Sequence, residues 1–364
     1  MLKAAYLQSE DWSFAAFLHK NSKRLNIKEE TLSAGVVSME HFSKKFSVAD
    51  LKEGMVVDDI FFVKFKKGMA EYAKGFSFEL TLSDASGKNI EYKYWGGKSE
   101  REVKALYGSI KADSIVKVQG KVSTYKDRLQ LATNEPMTIT VLKPSQYDSS
   151  EFVKGPRKNI DKMYERLLSL ALSVKNQGLR AVLKSTFEDK EISEKFRLHP
   201  GAIEIHHNWI SGLLEHTLEV AELCLKCQEL YPDLDRDLLI AGSLLHDIGK
   251  LEEIEVTSRI RGTTKGQLYS HLILSTIFVE KKCEEVGLDE KTKEKLLHII
   301  ISHHGKLEYG APKEPMFPEA VAVHYADELS SKLAEMTEFI NSSKTDTEDD
   351  FMFHKRSQKN IFLR

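Results

Sequence analysis

The sequence has few of the features that mark secreted or membrane-spanning proteins. Its 364 residues include three cysteines, too few for a disulfide framework. No apolar run reaches the roughly 18 residues that would be expected of a membrane-spanning helix. The N-terminal stretch lacks the apolar core and the small-residue cleavage site of a secretory signal. These absences predict a cytoplasmic protein without a membrane partner.

A strong net charge is also absent. Lysine and arginine number 53 against 55 acidic residues, which gives a formal net charge of −2. The net charge therefore gives no strong electrostatic attraction to polyanions, and any nucleic-acid site must be a local basic patch. The length exceeds that of one ordinary domain, so we expect two domains with extensions.

Residues 46–146 alternate apolar and polar side chains as β-strands do. In the stretch 75–84, every second residue is apolar from Phe76 to Leu82. Residues 85–87 read as a hairpin turn. Further alternating stretches are 88–95, 114–125 and 128–132, and one helix is predicted over 99–108. Short strands with one inserted helix predict a small Greek-key barrel of the OB type, with a generic β-barrel as the alternative.

The remainder of the chain changes character. Residues 147–162 are rich in Ser, Gly, Pro and charge, which predicts a linker. Residues 163–343 show helical periodicity and no strand pattern, and residues 344–364 form a basic tail. Helices are predicted at about 160–175, 178–187, 208–230, 236–248, 270–286, 290–304 and 318–341. The fold class is α+β multidomain, a barrel followed by an all-α domain, with residues 1–45 as an accessory arm.

The helical region concentrates histidines beside acids. The relevant residues are His216, His246, Asp247, His271, His303, His304 and Asp327. Imidazole and carboxylate groups suit divalent transition metals, and burying them without a partner would cost several kcal/mol. A metal site is therefore favoured over a purely structural polar core. Lys250 lies on the same helical face as Asp247, three residues on, where it could reach a phosphate oxygen bound to the ion.

Two other motifs near these residues carry weaker signals. Cys224 and Cys227 suggest a zinc or redox pair, but Cys224 lies about 12 Å along the helix axis from His216, so core packing is favoured. His206 and His207 precede the helix of His216. They are candidates either for the lining of a substrate groove or for a structural role at the helix entry.

The ordered series of histidines and aspartates, with the motif HDIGK, resembles the HD phosphohydrolase superfamily. From about residue 50 to the C-terminus, the chain resembles the YhaM family of 3′→5′ exoribonucleases. The segments that carry this resemblance are HHNWISGLLEHTLEV, AGSLLHDIGKL, TTKGQLYSHLILS, IISHHG, PEAVAVHYADEL and FMFHKRSQKNIFLR. The sequence departs from the family pattern at Ser270, where glycine is expected, and at residues 209–211.

The resemblance implies about two divalent metal ions in each chain. The first would be held by His216, His246, Asp247 and Asp327. The second would be held by His271 with His303, His304 or both, and Asp247 would bridge the two ions. Mn²⁺ is the expected metal, with Co²⁺, Fe²⁺, Ni²⁺ and Mg²⁺ as alternatives. A hydroxide shared by the ions would attack the phosphodiester, with Asp247 and Lys250 as the catalytic residues.

Basic and aromatic residues mark candidate nucleic-acid contacts. In the barrel they are Lys66, Lys67 and Tyr72 in a loop after the first strand, and Tyr125, Lys126 and Arg128 in a later hairpin. Near the metal ligands they are Arg259, Arg261 and Lys265. OB barrels bind oligonucleotides through such loops. The alternative for all of them is a solvated basic loop.

The leading hypothesis is a metal-dependent 3′→5′ exonuclease that acts on single-stranded RNA, with DNA as a second substrate, and releases nucleoside monophosphates. One alternative is an HD phosphohydrolase of small nucleotides such as cyclic dinucleotides, dNTPs or alarmones. The barrel disfavours it, because a free nucleotide requires no strand-binding module. A second alternative is a non-catalytic nucleic-acid-binding protein. The sequence leaves open whether the protein is a homo-oligomer.

Overall fold

The computed structural model describes residues 40–204, 206–257, 259–343 and 349–364. The chain divides into two compact units. The first runs to Gly155 and includes Val256–Arg259, and the second comprises Pro156–Glu255 and Ile260–Arg364. Most of the predicted accessory arm, residues 1–39, lies outside the described residues.

In the part of the chain that the structure describes, the first unit is a closed barrel with one α-helix. Its elements are β1 (Val56–Tyr72), β2 (Gly75–Ser83), β3 (Asn89–Trp95), α1 (Glu100–Ser109), β4 (Ile115–Tyr125), β5 (Arg128–Asn134) and β6 (Ile139–Val141). The strand order is β1-β2-β3-β5-β4, with β6 beside β4, and the pairing of β1 with β4 closes the barrel. The strands β3 and β5 are parallel. A helix between β3 and β4 completes the OB topology, so the predicted barrel is confirmed.

The alternating pattern in the sequence accounts for the barrel core. Phe78, Leu80 and Leu82 of β2 are fully buried on the inner face. The helix α1 begins at the cap Ser99, whose side chain accepts a hydrogen bond from the amide of Glu102. The turn between β4 and β5 consists of two residues with positive φ, as tight hairpin turns require.

One expectation about the barrel is wrong. The predicted loop after the first strand does not exist, because β1 continues without a break to Tyr72. Lys66, Lys67 and Tyr72 therefore lie in this strand. Two irregularities in its pairing with β2, near Phe65 and Met69, let the long strand bend around the barrel.

The second unit is mostly helical, as predicted. Its helices are α2 (Ile160–Ser173), α3 (Gln177–Phe187), α4 (Lys190–Leu198), α5 (Gly212–Leu230), α6 (Arg236–Leu245), α7 (Lys250–Glu253), α8 (Thr264–Val286), α9 (Glu290–Ser302) and α10 (Pro318–Ser343). Six of these helices begin at side-chain caps: Asn159, Asn176, Asp189, Asp235, Thr263 and Asp289. Apolar side chains of α2, α3, α5, α6 and α9 supply most of its core. None of the helices within the described ranges is long and apolar enough to cross a membrane.

The expectation that this half of the chain contains no strand is wrong. Strands β7 (Ile254–Val256) and β8 (Ile260–Gly262) form one short hairpin, and β9 (Phe351–His354) and β10 (Lys359–Phe362) form another. Both consist of strands of three or four residues, too short for an alternating pattern to stand out from helical sequence.

Two helix starts also differ from the prediction. The helix α5 begins four residues later than expected, because His207 and Ser211 adopt positive φ. The helix α8 begins at Thr264, six residues earlier, but its path is broken at Ser270, which has φ 62° and ψ 158°. This break directly precedes His271.

Candidate metal centre

Five helices bring the predicted ligands to one place in the second unit. His216 lies on α5, the pair His246-Asp247 follows α6, and His271 lies on α8 just after its break. His303 and His304 follow α9, and Asp327 lies on α10. Two groups of potential metal-binding atoms result, His216-His246-Asp247 and His271-His303-His304, each with ligand atoms within 4.8 Å of one another.

The first group surrounds one oxygen of Asp247. Asp247 Oδ2 lies 3.3 Å from His246 Nε2 and 3.5 Å from His216 Nε2. The two imidazole nitrogens are 3.3 Å apart. Asp327 Oδ1 lies 3.2 Å from His216 Nε2. All four predicted ligands of the first ion therefore converge.

The second group faces the other oxygen of the same carboxylate. Asp247 Oδ1 lies 3.5 Å from His271 Nε2 and 3.7 Å from His303 Nε2. His304 Nε2 lies 3.1 Å from His271 Nε2. Both histidines of the His303-His304 pair thus point to this group, and Asp247 lies between the two groups.

The outer nitrogen of each ring is held by an oxygen acceptor. His246 Nδ1 donates to the carbonyl of Ser243 at 2.7 Å, and His303 Nδ1 donates to the carbonyl of Ile300 at 2.7 Å. His304 Nδ1 likewise faces the carbonyl of Tyr309 at 2.9 Å. A carbonyl can only accept, so each of these rings carries a proton on Nδ1 and, in its neutral form, presents a lone pair at Nε2.

A carboxylate holds one of the remaining two rings directly, and another holds the second through a hydroxyl. His271 Nδ1 donates to Glu253 Oε2 at 2.8 Å. His216 Nδ1 lies 3.0 Å from the hydroxyl of Ser330, which in turn donates to Glu219 Oε2 at 2.9 Å. In their neutral forms, all five rings therefore direct the lone pairs of Nε2 inward. This arrangement of outer partners is typical of metal-bound histidines.

The donor set fits divalent cations. Imidazole nitrogens 3.1–3.3 Å apart with lone pairs facing each other repel unless they share a proton or a metal ion. Asp247 Oδ1 and His303 Nε2 are buried and have no hydrogen-bond partner among the described residues. Unsatisfied buried polar atoms of this kind are costly, and a metal ion would satisfy both. The site residues can therefore hold divalent ions.

The charges around Asp247 favour its ionised form. Burial alone would raise the pKa of this carboxyl, but Lys250 and His246 hold the pKa well below its ordinary range. Lys250 Nζ lies 2.7 Å from Asp247 Oδ2, and this lysine is itself buried. Although burial lowers the pKa of Lys250, Asp247 more than compensates and raises it. The protein thus places a charged ammonium group directly beside the central carboxylate.

Close packing explains why the HDIGK motif has a glycine at position 249. A Cβ at Gly249 would lie 2.4 Å from the amide nitrogen of Ser275 and 2.5 Å from the carbonyl of His271. The amide of Gly249 donates to Ser275 Oγ at 2.8 Å. Its lack of a side chain lets α8 approach the HD segment and bring His271 close to Asp247.

Sequence reasoning missed the outer residues Glu253, Ser330 and Glu219. Glu253 accepts hydrogen bonds from both the backbone amide and the ring of His271. A usable signal existed, because Ser330 and Glu219 each follow a predicted ligand by three residues and so share its helix face. His207 Nε2 contacts Glu219 Oε2 at 3.2 Å, which favours the structural alternative for this histidine.

The predicted nucleic-acid residues of the barrel fall into two sets. Lys67, Tyr125, Lys126 and Arg128 line one groove of about 410 Å³, together with Glu79, Glu91, Leu129 and Gln130. Lys66 instead donates to the carbonyls of Tyr107 and Ile110 at the end of α1, and Tyr72 donates to the carbonyl of Gly96. These contacts favour structural roles for Lys66 and Tyr72.

The three basic residues predicted near the metal ligands all have acidic partners. Arg261 Nε lies 2.7 Å from Glu255, and Lys265 pairs with Glu252. Arg259 pairs with Asp113, which belongs to the same unit. Their charges are thereby partly neutralised, so their role in strand binding stays a prediction.

Residues 213–332 match the family model of the HD domain. The match covers about a third of the chain and includes every candidate metal ligand, from His216 to Asp327. It supports a metal-dependent phosphohydrolase, and it agrees with the geometry of the site.

Several solved structures resemble the chain at low similarity. They include the p204 HINb domain (14% identity over 26% of this chain and 46% of that chain, TM-score 0.21). A second is the OB domain of Ta0387 from Thermoplasma acidophilum (12% identity over 31% of this chain and 92% of that chain, TM-score 0.21). A third is a replication protein A heterotrimer bound to single-stranded DNA (14% identity over 33% of this chain and 29% of that chain, TM-score 0.23). The chain spans less than half of the p204 and replication protein A chains. The OB topology of the barrel rests on its strand order.

Proposed function

We propose that the protein is a metal-dependent 3′→5′ exonuclease that acts on single-stranded RNA, and on single-stranded DNA as a second substrate, and releases nucleoside monophosphates. The observation that carries the proposal is the position of Asp247, whose two oxygens face two separate groups of inward-directed imidazole nitrogens. Metal-dependent phosphodiester hydrolysis commonly uses two ions that share one carboxylate.

In this proposal each group holds one divalent ion, Mn²⁺ in preference. The first ion would be held by His216, His246, Asp247 and Asp327, and the second by His271, His303, His304 and Asp247. Bound divalent ions would lower the pKa of a water molecule and polarise the phosphoryl oxygens.

The protein's own residues would contribute charge and orientation. Lys250 keeps an ammonium group beside Asp247, where it would stabilise negative charge that develops on the phosphoryl oxygens. Glu253, Ser330 and the backbone carbonyls fix the rings of the histidines. This fixed orientation removes the need to reorganise the ligands during turnover.

The substrate assignment draws on the barrel and on the resemblance. The OB topology and the groove lined by Tyr125, Lys126 and Arg128 suit a single strand, because OB barrels combine basic grooves with aromatic contacts. The 3′→5′ polarity is carried over from the resemblance to the YhaM family. A small free nucleotide would leave the barrel without a role.

A direct test uses purified protein with Mn²⁺ and a single-stranded RNA labelled at its 5′ end. We expect a ladder of shortening products and resistance when the 3′ end forms a hairpin. The Asp247→Ala variant, purified in parallel, controls for contaminating nucleases. Cleavage of a circular RNA, which has no 3′ end, would contradict the exonuclease proposal and indicate an endonuclease. Turnover of cyclic dinucleotides, dNTPs or alarmones with no RNA cleavage would favour the small-nucleotide hydrolase.

A further inference from the structure

The hairpin of β9 and β10 exposes three aromatic rings on one face. Phe351 and Phe362 are directly opposite each other, and Phe353 lies two residues further along β9 opposite Asn360. Side chains at these positions share one face of a two-stranded ribbon. The exposed fractions are 58% for Phe351, 51% for Phe353 and 54% for Phe362. Such exposure is unusual for three large apolar rings in one small element.

The opposite face of the hairpin anchors it to α10. The ring of His354 packs on Phe339 with centroids 4.6 Å apart, and Ile361 is buried. Glu335 lies 3.7 Å from His354 and 3.6 Å from Arg356. The aromatic face is therefore held outward by packing, and its exposure does not result from a loosely attached tail.

The hairpin lies on a helix that also contributes a residue to the candidate metal centre. It packs on the helix that carries Asp327, and the contact at Glu335 lies eight residues further along that helix. At the rise of an α-helix this is about 12 Å from Asp327 along the axis. A strand bound at the metal centre could reach the hairpin without leaving the second unit.

The positive charge of the hairpin is concentrated at its turn. Lys355 and Arg356 occupy the turn at one end of the hairpin. At the other end, Arg364 lies 3.3 Å from Asp350, the acid that precedes Phe351, so its charge is largely neutralised. Lys355 and Lys359 are exposed, and neither forms an ion pair within the part of the chain that the structure describes. Exposed rings beside a basic turn match a single nucleic-acid strand, whose bases can stack on the rings while its phosphates contact the lysines.

We propose that the face formed by Phe351, Phe353 and Phe362 is a base-stacking platform for single-stranded nucleic acid. It rests on the proposed function, because it assigns a second contact to the same substrate. Asn360 lies between the rings and offers an amide to a base edge. The basic residues would contribute sequence-independent affinity, and the rings would contribute affinity that every base can satisfy.

The test measures the dissociation constant of a short single-stranded RNA with a 5′ fluorophore, by anisotropy, in the presence of EDTA to prevent hydrolysis. We expect Phe353→Ala to weaken binding by at least about fivefold. Phe353→Leu should weaken it similarly, because it keeps apolar area but loses the ring, whereas Phe353→Trp should preserve affinity. Tyr231→Ala serves as the control, since Tyr231 is also an exposed aromatic residue of the same unit.

Two results would overturn the platform. The first is wild-type affinity in Phe353→Leu and in the triple Phe351→Ala/Phe353→Ala/Phe362→Ala variant. The second is a change of the triple variant from an oligomer to a monomer in light scattering, with RNA affinity per chain unchanged, which would make the face a protein interface. Failure of the proposed function is detected separately, as absence of RNA shortening by wild-type protein with Mn²⁺. Ring-dependent binding in that case would still support the platform.

Discussion

Replacement of Ser270 by glycine should stabilise the second unit. Ser270 has φ 62° and ψ 158°, a region that is essentially restricted to glycine and that costs other residues about 1–3 kcal/mol. Glycine gains about 0.4–1 kcal/mol of extra conformational freedom in the unfolded chain, which offsets part of the relief. The net expectation for Ser270→Gly is an increase of about 1 kcal/mol in the free energy of unfolding.

The assay is thermal unfolding followed by circular dichroism. A gain of about 1 kcal/mol raises the melting temperature of a domain of this size by about 2–4 °C. Ser270→Ala is the matched control, because it keeps the Cβ and hence the strain. An equal or lower melting temperature for Ser270→Gly than for the wild type would refute the reasoning, and would show that the bend before His271 is not strained.

Four further predictions concern the site, its packing and the barrel. His271→Ala should reduce bound metal from about two ions to about one per chain, measured by elemental analysis; unchanged content would place the second ion elsewhere. Glu253→Gln should weaken the second metal site by about 10–100-fold in a metal titration, whereas Glu252→Gln, at an exposed neighbour, should not. Gly249→Ala should destabilise the protein by about 1–3 kcal/mol in urea, because its Cβ would meet backbone atoms of α8 at 2.4 Å and 2.5 Å. Lys126→Ala should weaken RNA binding and reduce the salt slope by about one; an identical slope would remove this residue from the interface.

The local signals in the sequence were sufficient for most of the architecture. Strict alternation in residues 75–83 predicted a strand with an apolar face in the core, and the structure buries Phe78, Leu80 and Leu82 on that face. The length of the first strand was not predictable in the same way. In β1, the exposed half that contains Lys66 and Lys67 has no buried face in the pattern of its side chains, so its residues look like a loop.

The residues of the candidate metal centre could be predicted from the sequence, but their spatial arrangement could not. Histidines and aspartates in apolar helical segments signalled a shared polar site, because burial demands a partner for each of them. The bridging position of Asp247 depends on how five helices pack, and the pairing of Glu253 with His271 depends on the break at Ser270. Long-range contacts of this kind produce no periodic pattern in a single sequence, so they could not be predicted from it.

The most direct test of the central claim is the metal content and activity of Asp247→Ala. Elemental analysis of the purified variant and the wild type, loaded with Mn²⁺ in parallel, would be compared with hydrolysis of 5′-labelled single-stranded RNA. Because Asp247 joins both groups, we predict that the variant keeps its circular dichroism spectrum, loses most of its bound metal and cleaves no RNA. Two tightly bound ions and full hydrolysis in the variant would contradict the account.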